Sequence, residues 1–135
     1  MSKLADLHDE YSFLDADDRY RLLIDLGRSL EPMPAALKTE ATLVRGCSAR
    51  VWLYPTADEA GHLHFLADSD AHITKGMVAL VLETVQDRTP AEVLATDIEG
   101  ELAPFDLTRQ LSSNRTQGLP NMIALIRETA GRMVG

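Results

Sequence analysis

The chain has 135 residues, 45% of them hydrophobic, and a formal net charge of -8. Its length and apolar content suit one compact domain over 1–135 that buries about 65–70% of its unfolded surface, and the order of its predicted helices and strands makes that domain α+β. That charge opposes a phosphate backbone and no run of Lys or Arg offsets it, so no nucleic-acid partner is expected and a basic protein surface is favoured. The longest apolar run, Met77 to Leu82, is far short of the ~18–20 residues that span a bilayer, and the N-terminal region is acidic from Asp6 onward, so neither membrane nor signal peptide is expected.

Leu4, Leu7, Tyr11 and Leu14 fall at helical spacing and predict a first amphipathic helix, ended by the acidic turn Asp15 to Asp18. Tyr20, Leu23, Ile24, Gly27 and Leu30 mark the buried stripe of a second, stopped by Pro32 and Pro34. From Thr42 the period changes. Leu43-Val44, then Val51 to Tyr54, then Leu63, Phe65 and Ala67 predict three short strands in an antiparallel meander. Gly46-Cys47-Ser48 is the expected tight turn between the first two strands, and Thr56 to Gly61 the longer hairpin loop before the third.

Asp68-Ser69-Asp70 reads as a helix N-cap, followed by Ile73, Gly76, Met77, Leu80 and Val81 on one face of a helix ending near Gln86. A glycine inside that helix suggests close packing against the sheet. Thr89-Pro90-Ala91-Glu92 is a further helix start: Thr89 as cap, Pro90 at the first position, Glu92 closing a capping box. The stretch around Gly100 and Pro104 reads as irregular. Leu119, Met122, Ile123, Ile126 and Met133 describe a last amphipathic helix, entered through Asn114 to Gly118.

Cys47 is the single cysteine. It excludes an internal disulfide and a multi-cysteine metal cage, and it fits either a reducing cytoplasmic compartment or an oxidising one in which it pairs with another chain. Arg45 and Arg50 flank it, and nearby guanidinium groups favour the thiolate, the form that attacks a disulfide or persulfide sulfur. A buried structural cysteine is the equal alternative. His62, His64 and His72 do not complete a ligand set, and a solvent-facing pair on a strand accounts better for the first two. Asp68 and Asp70 read as caps before they read as an acid–base pair, and Lys75 reads as a surface charge. Arg115, in a Ser-rich turn, is either solvated or a planar fork for Asp70 or a partner's carboxylate.

The series Tyr20, Leu23-Ile24-Asp25-Leu26-Gly27-Arg28, Val44-Arg45-Gly46-Cys47, Val51-Trp52-Leu53, Asp68-Ser69-Asp70-Ala71, Lys75-Gly76, Thr89-Pro90, Leu111-Ser112, Arg115 and Gln117-Gly118-Leu119 resembles the SufE family of sulfur acceptors. Two positions depart from the family pattern: Ala49 stands where Ser is common, and no Trp precedes Tyr20.

The resemblance implies a SufE/NifU-like (IscU-like) fold and a sulfur-transfer accessory protein rather than an independent enzyme. Cys47 would receive persulfide sulfur from a cysteine desulfurase of the SufS or CsdA type, stimulate it, and pass the sulfur to an iron–sulfur scaffold. The resting thiol would tuck into an apolar pocket and swing out on docking. Arg45, Gly46, Ser48, Asp68, Asp70 and Arg115 would support the cysteine or meet the desulfurase. No cofactor or metal of its own is implied; pyridoxal phosphate belongs to the partner. A monomer or weak homodimer is expected. The alternatives are an allosteric desulfurase activator that carries no sulfur, a relay to another acceptor such as tRNA thiolation, and a cluster scaffold, the last disfavoured by one thiol per chain.

Overall fold

The computed structural model describes residues 3–46, 49–111 and 116–134. Helix α1 (Lys3–Ser12) buries Leu4, Leu7 and Tyr11 of the predicted stripe, but it ends before Leu14. Helix α2 (Ala16–Arg28) starts where the Asp15 carboxylate accepts the Asp18 N–H, and buries Leu23 and Gly27. Strands β1 (Val51–Ala57) and β2 (Leu63–Ser69) pair antiparallel, with Val51 opposite Ser69 and Ala57 opposite Leu63. Helices α3 (His72–Val85), α4 (Pro90–Ala95), α5 (Ile98–Leu102), α6 (Leu107–Gln110) and α7 (Leu119–Met133) follow.

Helix α3 is buried almost all round, as a helix at the centre of a core must be. It meets α1, α2, α5 and β2. The inward residues of the sheet, Val51, Leu53, Leu63, Phe65 and Ala67, join it in one continuous apolar cluster.

The three-stranded meander is corrected to two strands. Leu43-Val44 makes a single bridge, Leu43 to Trp52. Just before it the chain is still turning: the Thr42 hydroxyl donates to the Leu37 carbonyl at 2.6 Å, and Thr42 N–H bonds the Thr39 carbonyl. That turn leaves too little extended chain for a ladder. The free edge of β2 is covered differently. Gln86 uses its side-chain amide as a strand would, accepting the Phe65 N–H and donating to the Phe65 carbonyl, both at 2.7 Å. That stretch of the β2 edge is thereby protected from pairing with another chain.

Gly76 packs against α2 rather than the sheet: a Cβ there would run into the Leu23 carbonyl oxygen. Asp68-Ser69-Asp70 does not cap α3. The N-cap position is Ala71, without a side-chain bond, because Asp68 and Ser69 still belong to β2. The capping box on α4 forms as expected. The stretch read as irregular folds into α5, a 3-10 turn (Ala103–Phe105) and α6, elements too short to show periodicity. Met133 is exposed rather than buried. Among the described residues no helix is long and apolar enough to cross a membrane.

Candidate functional site at the loop between Val44 and Val51

The expected site falls on the loop leading into β1. Its base is closed by Val44 N–H to the Val51 carbonyl at 2.7 Å, with Leu53 N–H to the Thr42 carbonyl at 2.9 Å behind it. Cys47, Ser48 and Arg115 lie outside the described residues. The residues on either side of Cys47-Ser48 are each held by a side chain from a distant element.

On the incoming side, Arg45 and Gly46 are exposed. Asn121 of α7 donates its amide N–H to the Arg45 carbonyl at 2.9 Å. Gly46 has φ +84, a left-handed conformation that glycine takes without steric cost. A Cβ at Gly46 would also run into the Asn121 amide nitrogen. On the outgoing side, the Asp70 carboxylate accepts the Arg50 N–H at 3.0 Å, and Asp70 N–H reaches back to the Arg50 carbonyl at 3.3 Å. Asp70 is thus a loop anchor and not a helix cap. Ala49, half-buried, lines a cleft of about 440 Å³ with Tyr20 and Ile24 of α2 and Ala71, His72, Ile73 and Thr74 at the start of α3.

Asp68 sits apart from these anchors. It pairs across the sheet with Trp52, and its carboxylate takes Lys38 at 2.6 Å and Lys75 at 3.2 Å. Burial pushes its pKa up, but Lys38, the Ser69 N–H and Lys75 outweigh that and hold it below the ordinary value. Such a carboxylate stays charged at neutral pH and makes a poor general acid. Lys38 also lies 5.7 Å from the centre of the Trp52 ring, within cation–π range. Lys75 is therefore an ion-pair partner rather than a free surface charge.

The histidines do not converge. His62 bonds Asp58 in the hairpin loop, whereas His64 bridges Asp87 at 2.7 Å and Glu31 at 3.1 Å through its two ring nitrogens. Among the described residues no group of three His, Cys, Asp or Glu side chains is placed to hold a metal ion.

The structure therefore gathers Arg45, Gly46 and Asp70 around the cysteine segment and leaves Asp68 with its lysines. Asn121 was missed by the sequence reading. It is an exposed polar residue near the start of an amphipathic helix, just before buried Met122 and Ile123, and such residues ordinarily face solvent without a task.

Residues 5–130 match the SufE family, described as an Fe–S metabolism associated domain. The chain belongs to the SufE family. Among relatives of this SufE-family chain, an uncharacterised SufE-like protein of Rhizobium meliloti is 38% identical over 138 aligned positions, covering 98% of this chain and 99% of that one. The sulfur acceptor protein CsdE of Escherichia coli is 43% identical over 106 positions, covering 76% of this chain and 70% of its own. The solution structure of a hypothetical protein from Thermus thermophilus superposes with a TM-score of 0.76 at 18% identity, over 99% of this chain and 98% of the other. At that identity the likeness speaks for the fold.

Proposed function

We propose that this SufE-family chain is a sulfur acceptor of iron–sulfur metabolism, in which Cys47 takes persulfide sulfur from a cysteine desulfurase and hands it to cluster assembly in a reducing, cytosolic compartment. The observation that carries the reading is the family match across Gly46-Cys47, and the relative named as a sulfur acceptor supports it. In the transfer, the Cys47 thiolate attacks the outer sulfur of the desulfurase persulfide. One S–S bond forms at Cys47 as the other breaks, and the desulfurase cysteine leaves as thiolate. The step is an exchange with no net oxidation, so it requires neither metal nor redox cofactor in this chain.

The geometry around the loop is suited to that task. The anchors on Arg45 and Arg50 set where the cysteine segment begins and ends. The cleft beside Ala49 offers an apolar wall, from Tyr20, Ile24 and Ile73, near the loop, and a thiol sheltered from solvent is inert until exposed. The net charge of -8 favours a partner surface with basic groups.

Incubation with a cysteine desulfurase and L-cysteine, followed by intact-mass measurement, tests the reading. The chain gains one sulfur mass and Cys47→Ser does not. A Cys47→Ser variant that still stimulates desulfurase turnover fully would instead favour an activator that carries no sulfur.

A further inference from the structure

The two anchors of the loop are unequal in kind. Asp70 follows directly on β2 and meets Arg50 at the sheet's end, where the pairing of Val51 with Ser69 sets them side by side. Asn121 comes from α7, 76 residues along the chain from Arg45. Its side chain is exposed, while its neighbours Met122 and Ile123 are 2% and 5% exposed. The core therefore fixes the backbone of residue 121 without needing its side chain. The amide nitrogen must be the atom that faces the Arg45 carbonyl, since the reverse orientation would set two acceptors together.

Gly46 is matched to this contact. Its φ of +84 and the amide nitrogen packed where a Cβ would stand both require glycine. The Arg45 carbonyl and the Arg50 N–H, on either side of Cys47-Ser48, are thus both held. Exchange between sulfurs needs the attacking sulfur in line with the bond that breaks. A segment with fixed ends loses less freedom on reaching that geometry.

We infer that Asn121 is a positioning residue for sulfur acceptance, acting through the Arg45 carbonyl on the segment that carries Cys47. The inference rests on the acceptor reading of Cys47. Asn121→Ala removes the donor, and Asn121→Gln keeps a donor on a stem one methylene longer.

The experiment is single-turnover sulfur transfer from a persulfide-loaded desulfurase at increasing desulfurase concentration, with the rate of Cys47 alkylation by iodoacetamide measured in parallel. Loss of one hydrogen bond predicts that Asn121→Ala lowers the limiting transfer rate about three- to tenfold. Half-saturation and thermal midpoint stay at wild-type values, the alkylation rate changes, and Asn121→Gln recovers most of the loss. A limiting rate and alkylation rate both unchanged in Asn121→Ala overturn the inference. So does a change confined to half-saturation, which would make Asn121 a docking residue. If wild type takes up no sulfur at all, the acceptor reading falls, while the alkylation rates still judge the tether by themselves.

Discussion

Gly76→Ala separates the helix crossing from ordinary helix propensity. Where α2 crosses α3, a Cβ at Gly76 would run into the Leu23 carbonyl oxygen and lie 2.6 Å from its carbon, and one at Gly27 would stand 2.7 Å from the Lys75 Cβ. Backbone atoms of a helix cannot turn aside as a long side chain can. The helices must separate, which opens the packing of Leu23, fully buried beneath the crossing. Overpacking of this kind costs about 1–3 kcal/mol, here at the upper end because backbone meets Cβ. Replacing a mid-helix glycine returns ~1 kcal/mol. The net is a loss of about 1–2 kcal/mol and a Tm lower by about 4–7 °C. Gly131→Ala in α7 is the control: nothing lies within 4 Å of its added Cβ, so only the propensity gain of ~0.5–1 kcal/mol remains. Thermal and urea unfolding of the two variants read the difference. A Gly76→Ala protein as stable as wild type, or a Gly131→Ala protein equally damaged, would refute the close-crossing argument. The crossing also bears on the site, because Tyr20, Ile24 and Ala71 to Thr74 form the cleft beside the loop.

Two further predictions concern pH. Burial lowers the pKa of His64, but its bonds to Asp87 and Glu31 outweigh this and leave it above the ordinary 6.5. The stabilisation is therefore fully present below about 6.5 and lost as pH rises through the folded-state value. Urea titrations should show His64→Gln costing more stability at pH 6 than at pH 8.5, and equal losses at the two would contradict the bridge. Arg127 grips Glu99 through two bonds, 2.8 and 2.5 Å long, and holds its pKa at about 2. The contribution is present above the ordinary Glu value of 4.5 and fades as pH falls toward 2. Because the pair is well exposed, Arg127→Gln should cost only about 0.3–1 kcal/mol at pH 7. The deficit closes in acid-unfolding curves; a deficit that persists at pH 2 would assign it to packing instead.

What could be read before the structure was whatever local chemistry decides. The Leu4, Leu7, Tyr11 stripe and the Thr89-Pro90-Glu92 box form because neighbours three or four residues apart supply the partners. Gly46 could be placed at a turn because glycine alone takes the left-handed backbone found there without cost. One failure comes from a local turn and several from distant partners. Leu43-Val44 has strand-forming residues but is held to one bridge by the preceding turn. Asp70 has a capping residue's chemistry, yet Arg50 takes its carboxylate. Gly76 announced a close approach, and only the fold could say that α2 makes it. Asn121 carries no local signal, since its partner is 76 residues away. Asp68 gained its two lysines in the same manner, from the segment before the loop and from α3.

Trypsin cuts after Arg45 and Arg50 and so releases Gly46 to Arg50 with Cys47 as its only sulfur-bearing residue. Sulfur-labelled cysteine is supplied to a desulfurase, the chain is added for one turnover, persulfides are trapped by alkylation, and the digest is separated. The acceptor account predicts label in that pentapeptide as one extra sulfur on Cys47, chased out when a scaffold is added. Label absent from it, or found on any other peptide of the chain, would contradict the account.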